Sequence, residues 1–249
     1  MPSSENLRGH TILITGAARR LGRTVALALA KRGARIVAHY HTSTAEAERL
    51  VGEIEAIGSK AWALAGNLGH AEGPERLFAQ VLEISGSVDV LINSASIYSE
   101  EGIDDLTPES LTANVNVNAL APFLLSRAFA HQDRAGSIVN FLDTRILDYD
   151  SRHVSYHLSK RMLFSMTRMM AMEFAPKVRV NAIAPGLILP PAGQDESYLK
   201  ELAPTNPLNT YGKPGDIVEA VLFLLQSPFI TGQIIYVDGG RHMLGGDYG

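Results

Sequence analysis

Short apolar runs alternate with longer helix-forming segments along the whole chain, and this alternation restricts the fold more than any other feature. Strands are predicted at 10–15, 34–40, 60–65, 88–93, 137–142, 178–183 and 233–237. Helices are predicted at 21–31, 44–57, 74–84, 109–130, 154–173, 194–202 and 214–226. Strands joined by helices of this length pair in parallel, and right-handed crossovers place helices on both faces of the sheet. The alternation therefore predicts an α/β fold, with one doubly wound parallel sheet covered on both sides.

The composition fits one globular domain and excludes several kinds of site. The 249 residues are 46% hydrophobic, enough to bury a large core, so residues 1–249 are predicted to form a single domain. A net charge of -4 gives no general basic surface for nucleic acid or an anionic membrane. The absence of cysteine excludes disulfides, and the eight histidines lack metal-ligand spacing, so no metal is expected. The polar N-terminus and the lack of a long apolar run predict a cytoplasmic protein.

A glycine-containing turn, TGAARRLG at 15–22, follows the first predicted strand. Ligands of such sheets bind beyond the carboxyl ends of the strands. Gly16 and Gly22 allow the backbone to approach a pyrophosphate at the N-terminus of the next helix, where free N–H groups favour an anion. Arg20 stands where a middle glycine would complete the dinucleotide fingerprint. The turn predicts a dinucleotide site, with an ordinary strand-to-helix turn as the alternative.

The end of the second predicted strand indicates which dinucleotide is bound. An acidic residue there bonds the ribose 2′-hydroxyl of NAD and repels the 2′-phosphate of NADP. The residues present are His39, Tyr40, His41, Thr42 and Ser43. No carboxylate precedes Glu46, and imidazoles and hydroxyls, together with Arg19 from the glycine turn, can accept a phosphate. NADPH is the expected cofactor, and the alternative is that these are only polar loop residues.

Tyr156 and Lys160 are four positions apart in a predicted helix, so their side chains project from one face. A nearby ammonium favours the phenolate and lowers the pKa of the phenol, which makes Tyr156 a candidate proton donor. Asp143 follows the fifth predicted strand, and its carboxyl is expected close to this phenol. The three groups suggest proton delivery to a substrate that receives a hydride elsewhere. The alternatives are a surface stripe for the pair and a helix N-cap or loop carboxylate for Asp143.

Motifs spread over nearly the whole chain resemble those of the short-chain dehydrogenases/reductases. They are TGAARRLG at 15–22, NSAS at 93–96, Asn118 in NVNALAPF, YHLSK at 156–160, APG at 184–186 and VDGG at 237–240. The resemblance implies a Rossmann-type fold in which Asn118 helps to hold a proton-relay water and Lys160 also binds the nicotinamide ribose. The cofactor contacts expected from the turns and from this resemblance are Gly16, Arg19, Arg20, Leu21, Gly22, His39, Tyr40, His41, Thr42, Ser43, Asn67, Leu68, Asn93, Ser94, Ala95, Ser96, Lys160, Pro185, Gly186 and Leu187.

Within that superfamily, three positions resemble the pteridine reductases and the related dihydromonapterin or dihydrofolate reductases. Most members have a serine where this chain has Asp143, and an ionised carboxylate cannot donate a hydrogen bond to a ketone oxygen. Arg20 and the aromatic Tyr98 after NSAS are similar to the pteridine reductases as well. The resemblance implies that Arg20 contacts cofactor phosphate and pterin, that Ser96 bonds both ligands, and that Tyr98 stacks on the pterin. Asp143 and Tyr156 then deliver the proton.

Other residues depart from the pteridine reductase pattern. Asn67 replaces an aspartate near the adenine, and its amide can still accept a hydrogen bond from the adenine amine. Ser94 replaces a common asparagine, and Thr42 replaces an arginine often found beside the 2′-phosphate. The substrate loop at about 187–210 is expected to set specificity. The family expectation is a homotetramer, in which the C-terminal run Arg241-His242-Met243 is a candidate for reaching a neighbouring subunit's site.

Three functions remain open. The favoured one is an NADPH-dependent pteridine reductase that transfers hydride to a C=N bond of a dihydropterin or dihydrofolate-like substrate. In that reaction Tyr156 donates the proton, assisted by Asp143 and Lys160. The second is an NADPH-dependent carbonyl or ketoacyl reductase of the same fold, which would have a serine at 143. The third is a non-catalytic NADP-binding regulator, which has no need to keep both Tyr156 and Lys160.

Overall fold

The computed structural model describes residues 7–244 and contains the predicted parallel sheet. Its strands are β1 (Thr11–Thr15), β2 (Arg35–Tyr40), β3 (Ala61–Ala65), β4 (Val90–Asn93), β5 (Gly136–Phe141), β6 (Val178–Pro185) and β7 (Ile234–Val237). They pair in the order β3-β2-β1-β4-β5-β6-β7, and every neighbouring pair is parallel. Most of the polar N-terminus, which predicts the absence of a secretory signal, lies outside the described residues.

Helices cover both faces of the sheet, which confirms the predicted fold class. They are α1 (Arg20–Ala30), α2 (Thr44–Ala56), α3 (Gly73–Ser85), α4 (Pro108–Val115), α5 (Ala121–Ala130), α6 (Val154–Glu173), α7 (Glu196–Leu202) and α8 (Pro214–Gln226). The single helix predicted at 109–130 is α4 and α5 joined by a π-helical segment, Asn116–Leu120. Short 3₁₀ segments occupy Ala203–Thr205 and Arg241–Met243. Within residues 7–244, no helix combines the length and the apolar character that a membrane crossing requires.

The core consists of two large apolar layers, one on each face of the sheet, and a smaller apolar cluster beside α6. Along β1, Ile12 and Ile14 belong to the layer shared with α1 and α8, whereas Leu13 belongs to the layer shared with α3 and α5. Strands buried on both faces read as continuous apolar runs, and all five residues of β1 are buried. The order of the strands reverses between β1 and β4, and a crevice forms at the carboxyl ends of the strands beside such a reversal.

Candidate active site

A cavity of about 660 Å³ opens at the carboxyl ends of the strands. Its walls come from the segments after β1, β2, β4, β5, β6 and β7, from the first two turns of α6 and from the first turn of α7. The predicted site residues that line it are Gly16, Arg19, Arg20, Leu21, Gly22, Tyr40, His41, Ser43, Ser94, Ala95, Ser96, Tyr98, Asp143, Tyr156, Lys160, Pro185, Gly186 and Leu187. Most of the predicted residues therefore meet at one place. The predicted residues outside the lining are His39, Thr42, Asn67, Leu68, Asn93 and Asn118.

The glycine turn between β1 and α1 depends on close backbone approaches. Gly16 has a φ of 66°, and a Cβ atom there would lie 2.9 Å from the Ala95 Cα atom. A Cβ atom on Gly22 would lie 2.4 Å from the carbonyl oxygen of Gly16, so neither position accepts a larger residue without movement. No side chain caps the N-terminus of α1, which leaves its first N–H groups for a ligand. This geometry fits a pyrophosphate.

Arg20 joins two walls of the cavity. Its φ of 52° is a left-handed conformation that is uncommon for a residue with a Cβ atom. The guanidinium donates a 2.8 Å hydrogen bond to the carbonyl oxygen of Pro190 in the substrate loop. The sequence predicts contacts of Arg20 with cofactor phosphate and pterin, whereas the structure shows a bond between the glycine turn and the substrate loop. A ligand that uses Arg20 therefore competes with this bond.

Arg19 and Glu46 form an ion pair next to the segment that follows β2. Arg19 Nη2 and Glu46 Oε1 are 2.6 Å apart, and the two side chains are 61% and 29% exposed. The backbone N–H of Glu46 and the Arg19 guanidinium hold the pKa of Glu46 below its ordinary value. Arg19, the cation expected to bind the 2′-phosphate, is thus paired with the Glu46 carboxylate. A bound phosphate must displace this carboxylate or share the guanidinium with it.

His39 lies beneath the glycine turn, away from the cavity. Burial lowers its pKa to about 4, so the imidazole is neutral at physiological pH. Nδ1 accepts the N–H of Gly16 at 3.3 Å, and Nε2 donates to the carbonyl oxygen of Gly66 at 3.1 Å, an assignment that uses both ring nitrogens. This placement speaks against the predicted phosphate contact, because His39 has neither charge nor a free donor to offer.

Four other predicted cofactor contacts lie outside the cavity lining. The Asn67 side chain accepts the backbone N–H two residues on at 2.9 Å, and Leu68 is buried in an apolar layer. Asn93 is buried and donates to Asn140 Oδ1 at 2.8 Å, which links β4 to β5. Thr42 is exposed on the surface. Contacts of these residues with a cofactor stay predictions.

Asn118 fixes the segment that follows β4. It is fully buried in the π-helical segment, and its Oδ1 atom accepts the Ile97 N–H at 2.9 Å and the Ser96 hydroxyl at 3.1 Å. Its Nδ2 atom donates to Ser159 Oγ on α6 at 3.0 Å. A π-helical turn inside a helix often accompanies a functional site. Asn118 therefore positions Ser96, and its predicted part in a water relay stays a prediction.

Tyr156, Lys160 and Asp143 meet in the cavity, as the spacing predicts. The Tyr156 hydroxyl donates to Asp143 Oδ2 at 3.0 Å. Lys160 Nζ lies 5.7 Å from the centre of the Tyr156 ring and donates to the carbonyl oxygen of Phe141 at 2.8 Å. The Lys160 side chain is buried, so this cation is held in a defined position.

The electrostatics of the pair differ from the prediction. Burial and the Asp143 carboxylate raise the pKa of Tyr156 well above its ordinary value. The sequence predicts the opposite direction from Lys160 alone, but desolvation and the hydrogen-bonded carboxylate outweigh the more distant ammonium. Burial lowers the pKa of Lys160 to about 8, although Asp143 opposes this shift. At neutral pH the phenol therefore keeps its proton and the ammonium keeps its charge.

Asp143 also serves as a turn residue. Its Oδ1 atom accepts the Arg145 N–H at 2.8 Å, while Oδ2 accepts the Tyr156 hydroxyl. Asp143 is therefore a loop carboxylate through its Oδ1 atom and the partner of the Tyr156 phenol through its Oδ2 atom.

The turn that carries Asp143 is tied to the C-terminal end of the sheet. Thr144 donates its hydroxyl to the Asp238 carboxylate, and its N–H to the carbonyl oxygen of Pro185 at 3.1 Å. Gly186 makes room for this contact, since a Cβ atom there would lie 2.6 Å from the Asp238 Cβ atom. The APG and VDGG motifs thus pack together and hold the turn from behind.

Tyr98 forms an aromatic wall of the cavity. Its ring meets the Tyr156 ring edge-on, with centroids 4.6 Å apart and planes at 85°. Burial, with the nearby Asp143 charge, raises the pKa of Tyr98 above its ordinary value, so the hydroxyl is protonated. A flat ring that enters the cavity can stack on this side chain while its edge faces Asp143 and Tyr156.

The lining also holds polar residues that the sequence does not single out for this chain's own site: Thr144, Arg145, Asp150, His157, Tyr198 and Arg241, of which Tyr198 lies within the predicted substrate loop. Tyr198 lies on α7, which Asp195 caps by accepting the Ser197 N–H at 2.8 Å. Arg241 is buried in the wall of its own chain's cavity, and the reach of the run Arg241–Met243 into a neighbouring subunit's site stays a prediction. No local spacing marks these residues, because the elements that carry them are joined only in the fold.

The two ends of the cavity suit different ligands. The glycine turn, the uncapped α1 N-terminus and Arg19 fit the phosphates of a dinucleotide. Tyr98, Asp143 and Tyr156 fit a flat polar ring that takes up a proton. The arrangement therefore fits a dinucleotide and a planar substrate side by side.

Comparisons with known proteins agree with this geometry. A family model described as enoyl-(acyl carrier protein) reductase matches residues 16–242. Versicolorin reductase stcU of Emericella nidulans is 33% identical over 261 residues, which cover 96% of this chain and 99% of that protein. A 3-oxoacyl-(acyl-carrier-protein) reductase of Synechocystis is 31% identical over 247 residues, covering 95% and 98%. The crystal structure of FolM alternative dihydrofolate reductase 1 from Brucella canis, complexed with NADP, superimposes with a TM-score of 0.87 at 30% identity, covering 94% and 95%.

Proposed function

The chain belongs to the short-chain dehydrogenase/reductase family and is an NADP-dependent oxidoreductase, and within this family we propose that it reduces a C=N bond of a dihydropterin or a dihydrofolate-like substrate. The observation that carries the proposal is the 3.0 Å hydrogen bond between Tyr156 and Asp143. An ionised carboxylate cannot donate to a ketone oxygen, but it accepts hydrogen bonds from the N–H groups on the edge of a pterin. The likeness to the alternative dihydrofolate reductase supports the same substrate class.

The site residues divide the reaction between binding and proton transfer. NADPH, when bound, supplies the hydride that adds to the carbon of the C=N bond, and the nitrogen then takes one proton. Tyr156 delivers that proton, directly or through water, and Lys160 stabilises the phenolate that is left. Tyr98 holds the ring plane and Ser96 bonds the ligands.

Asp143 links substrate binding to the acidity of the phenol. Without a ligand, its charge raises the pKa of Tyr156, so the proton is held. When N–H groups of the substrate bond this carboxylate, its effect on the phenol weakens and Tyr156 becomes a stronger acid. Tyr156 therefore releases its proton only when the substrate is bound.

A second candidate is the reduction of a flat polycyclic ketone. The aromatic wall formed by Tyr98 favours it, as does the likeness to the angucycline C-6 ketoreductase LanV, which superimposes with a TM-score of 0.87 at 28% identity. Because another relative is named a 3-oxoacyl-(acyl-carrier-protein) reductase, a ketoacyl substrate is a further alternative. For either ketone, Tyr156 alone would have to bond the carbonyl oxygen, because Asp143 offers no donor.

The test is a substrate panel assayed by the oxidation of NADPH. We expect turnover with dihydropterins or dihydrofolate, and little with a bicyclic ketone or an acetoacetyl thioester. The variant Asp143→Ser restores a donor and should shift the preference from the pterin towards ketones. Tyr156→Phe is the control that removes turnover while NADPH binding persists. Wild-type turnover with ketones alone would refute the pterin proposal.

We also propose that the protein is a homotetramer. Large apolar side chains are exposed on α6 and α8, among them Leu158, Met169, Met172 and Phe223. Burial of such a surface between subunits would be favourable. Sedimentation equilibrium tests this, and Met172→Glu should yield a smaller species. A monomeric wild-type protein would contradict it.

A further inference from the structure

The Tyr98 ring is backed by a second ring. His153 stacks on it with centroids 4.2 Å apart and planes within 20°. Tyr98 lines the cavity and His153 does not, so the imidazole covers the face of the phenol ring that is turned away from the cavity. The Tyr156 ring meets the same phenol edge-on. Tyr98 is therefore held on two sides and presents its remaining face to a ligand.

His153 is itself fixed by buried polar contacts. Its Nδ1 atom lies 3.2 Å from both carboxylate oxygens of Asp150, and the two side chains are 14% and 6% exposed. The backbone on either side of His153 bonds Glu101, through the Arg152 carbonyl at 2.8 Å and the Val154 N–H at 3.2 Å. The imidazole plane is thus set by contacts that do not involve Tyr98.

Asp150 is anchored in turn. It accepts the Arg152 N–H at 2.9 Å, and Arg145 Nη1 lies 2.9 Å from its other oxygen. Burial opposes its ionisation, but these hydrogen bonds and the one with His153 hold the pKa of Asp150 below its ordinary value. The carboxylate therefore stays ionised at neutral pH and remains an acceptor for the imidazole.

We propose that His153 is a positioning residue, held by Asp150, that fixes the plane of the Tyr98 ring for a flat substrate. The inference deepens the proposed function, because it requires a planar substrate to stack on Tyr98. Without the imidazole, the phenol can rotate about its side-chain bonds, and each binding event must then order it. The defect should appear in substrate binding more than in the chemical step, and it should be absent for a substrate that is not flat.

The test compares His153→Ala and His153→Phe with the wild-type protein on dihydropterin, a bicyclic aromatic ketone and acetoacetyl thioester. The cost of ordering the loosened Tyr98 side chain at each binding event should raise the KM for a flat substrate about three- to tenfold. We expect this rise in His153→Ala, a smaller change in kcat, and an unaltered KM for NADPH. His153→Phe keeps the stack and should recover most of the loss. His131→Ala, at an exposed histidine, is the matched control and should match the wild type.

The outcomes separate the two proposals. If the flat ketone is reduced and the pterin is not, the pterin proposal fails, while a raised KM in His153→Ala still supports the role of His153. If the pterin is reduced with the same KM in wild type and His153→Ala, the inference about His153 is overturned and the pterin proposal stands. An equal effect on the thioester, a failure of His153→Phe to recover, or a wild type that reduces no flat substrate also overturns it.

Discussion

Replacing the buried Lys160 by methionine should make the protein more stable at neutral pH while it removes activity. Lys160 is 3% exposed, and burial lowers the pKa of its ammonium from 10.5 to about 8. At about 1.4 kcal/mol for each pH unit, a charged Lys160 destabilises the folded state by about 3 kcal/mol. Methionine has a similar length without the charge. It loses the hydrogen bond to the Phe141 carbonyl oxygen, which is worth about 1 kcal/mol or somewhat more.

Removing the charge penalty outweighs losing the hydrogen bond, so the free energy of unfolding of Lys160→Met should exceed that of the wild type by about 1–2 kcal/mol at about pH 7. The sign of its pH dependence follows from the lowered pKa. Below about pH 8 the lysine is protonated in both the folded and the unfolded state, so the wild type carries the full penalty. Between about pH 8 and 10.5 the folded state releases the proton first, and the wild type is relieved of the penalty. The advantage of the variant should therefore disappear by about pH 10.

Urea denaturation at these two pH values, at one protein concentration, measures the difference. Lys31→Met is the matched control, because this lysine is exposed and its removal should have little effect at either pH. Turnover of Lys160→Met should fall by about a hundredfold or more. A variant that is less stable than the wild type at neutral pH, or whose advantage is the same at both pH values, would refute the reasoning.

Three further outcomes are expected. In Asp143→Asn, the decline of kcat/KM at high pH should begin at a lower pH, because the carboxylate raises the pKa of the Tyr156 phenol and of the buried Lys160 in the ligand-free protein; an unshifted profile of kcat/KM against pH would contradict this. Glu46→Gln releases Arg19 and should lower the KM for NADPH about threefold without changing that for NADH, as steady-state kinetics with both cofactors will show. Gly186→Ala forces a Cβ atom against Asp238 and should lower the free energy of unfolding by about 1–3 kcal/mol, measured by urea denaturation, whereas an unchanged value would mean that the contact relaxes freely.

The parts of the molecule that depend on local spacing could be predicted from the sequence. The sheet follows from alternating apolar runs, and the meeting of Tyr156 with Lys160 follows from their separation by about one helical turn. His39 shows the limit of this reasoning. Successive residues of a strand point to opposite faces, so a polar residue near the end of β2 can as well be buried under the glycine turn as face a ligand.

Contacts between distant segments could not be predicted. Arg20 bonds Pro190, and Tyr98 stacks on His153, although nothing near these residues in the chain indicates their partners. The pKa of Tyr156 was predicted in the wrong direction for the same reason. Its sign depends on how far the phenol is desolvated and on which charge lies closest, and both are set by the complete fold.

The bond between Thr144 and Asp238 joins the turn that carries Asp143 to a residue 94 positions further along the chain. Strand β7 ends immediately before Asp238 and occupies an edge of the sheet, so this bond forms only after the last strand has docked. Until that strand docks, the turn that carries Asp143 lacks this support. We expect enzymatic competence to arise late in biosynthesis, and on refolding to return together with the docking of that edge strand.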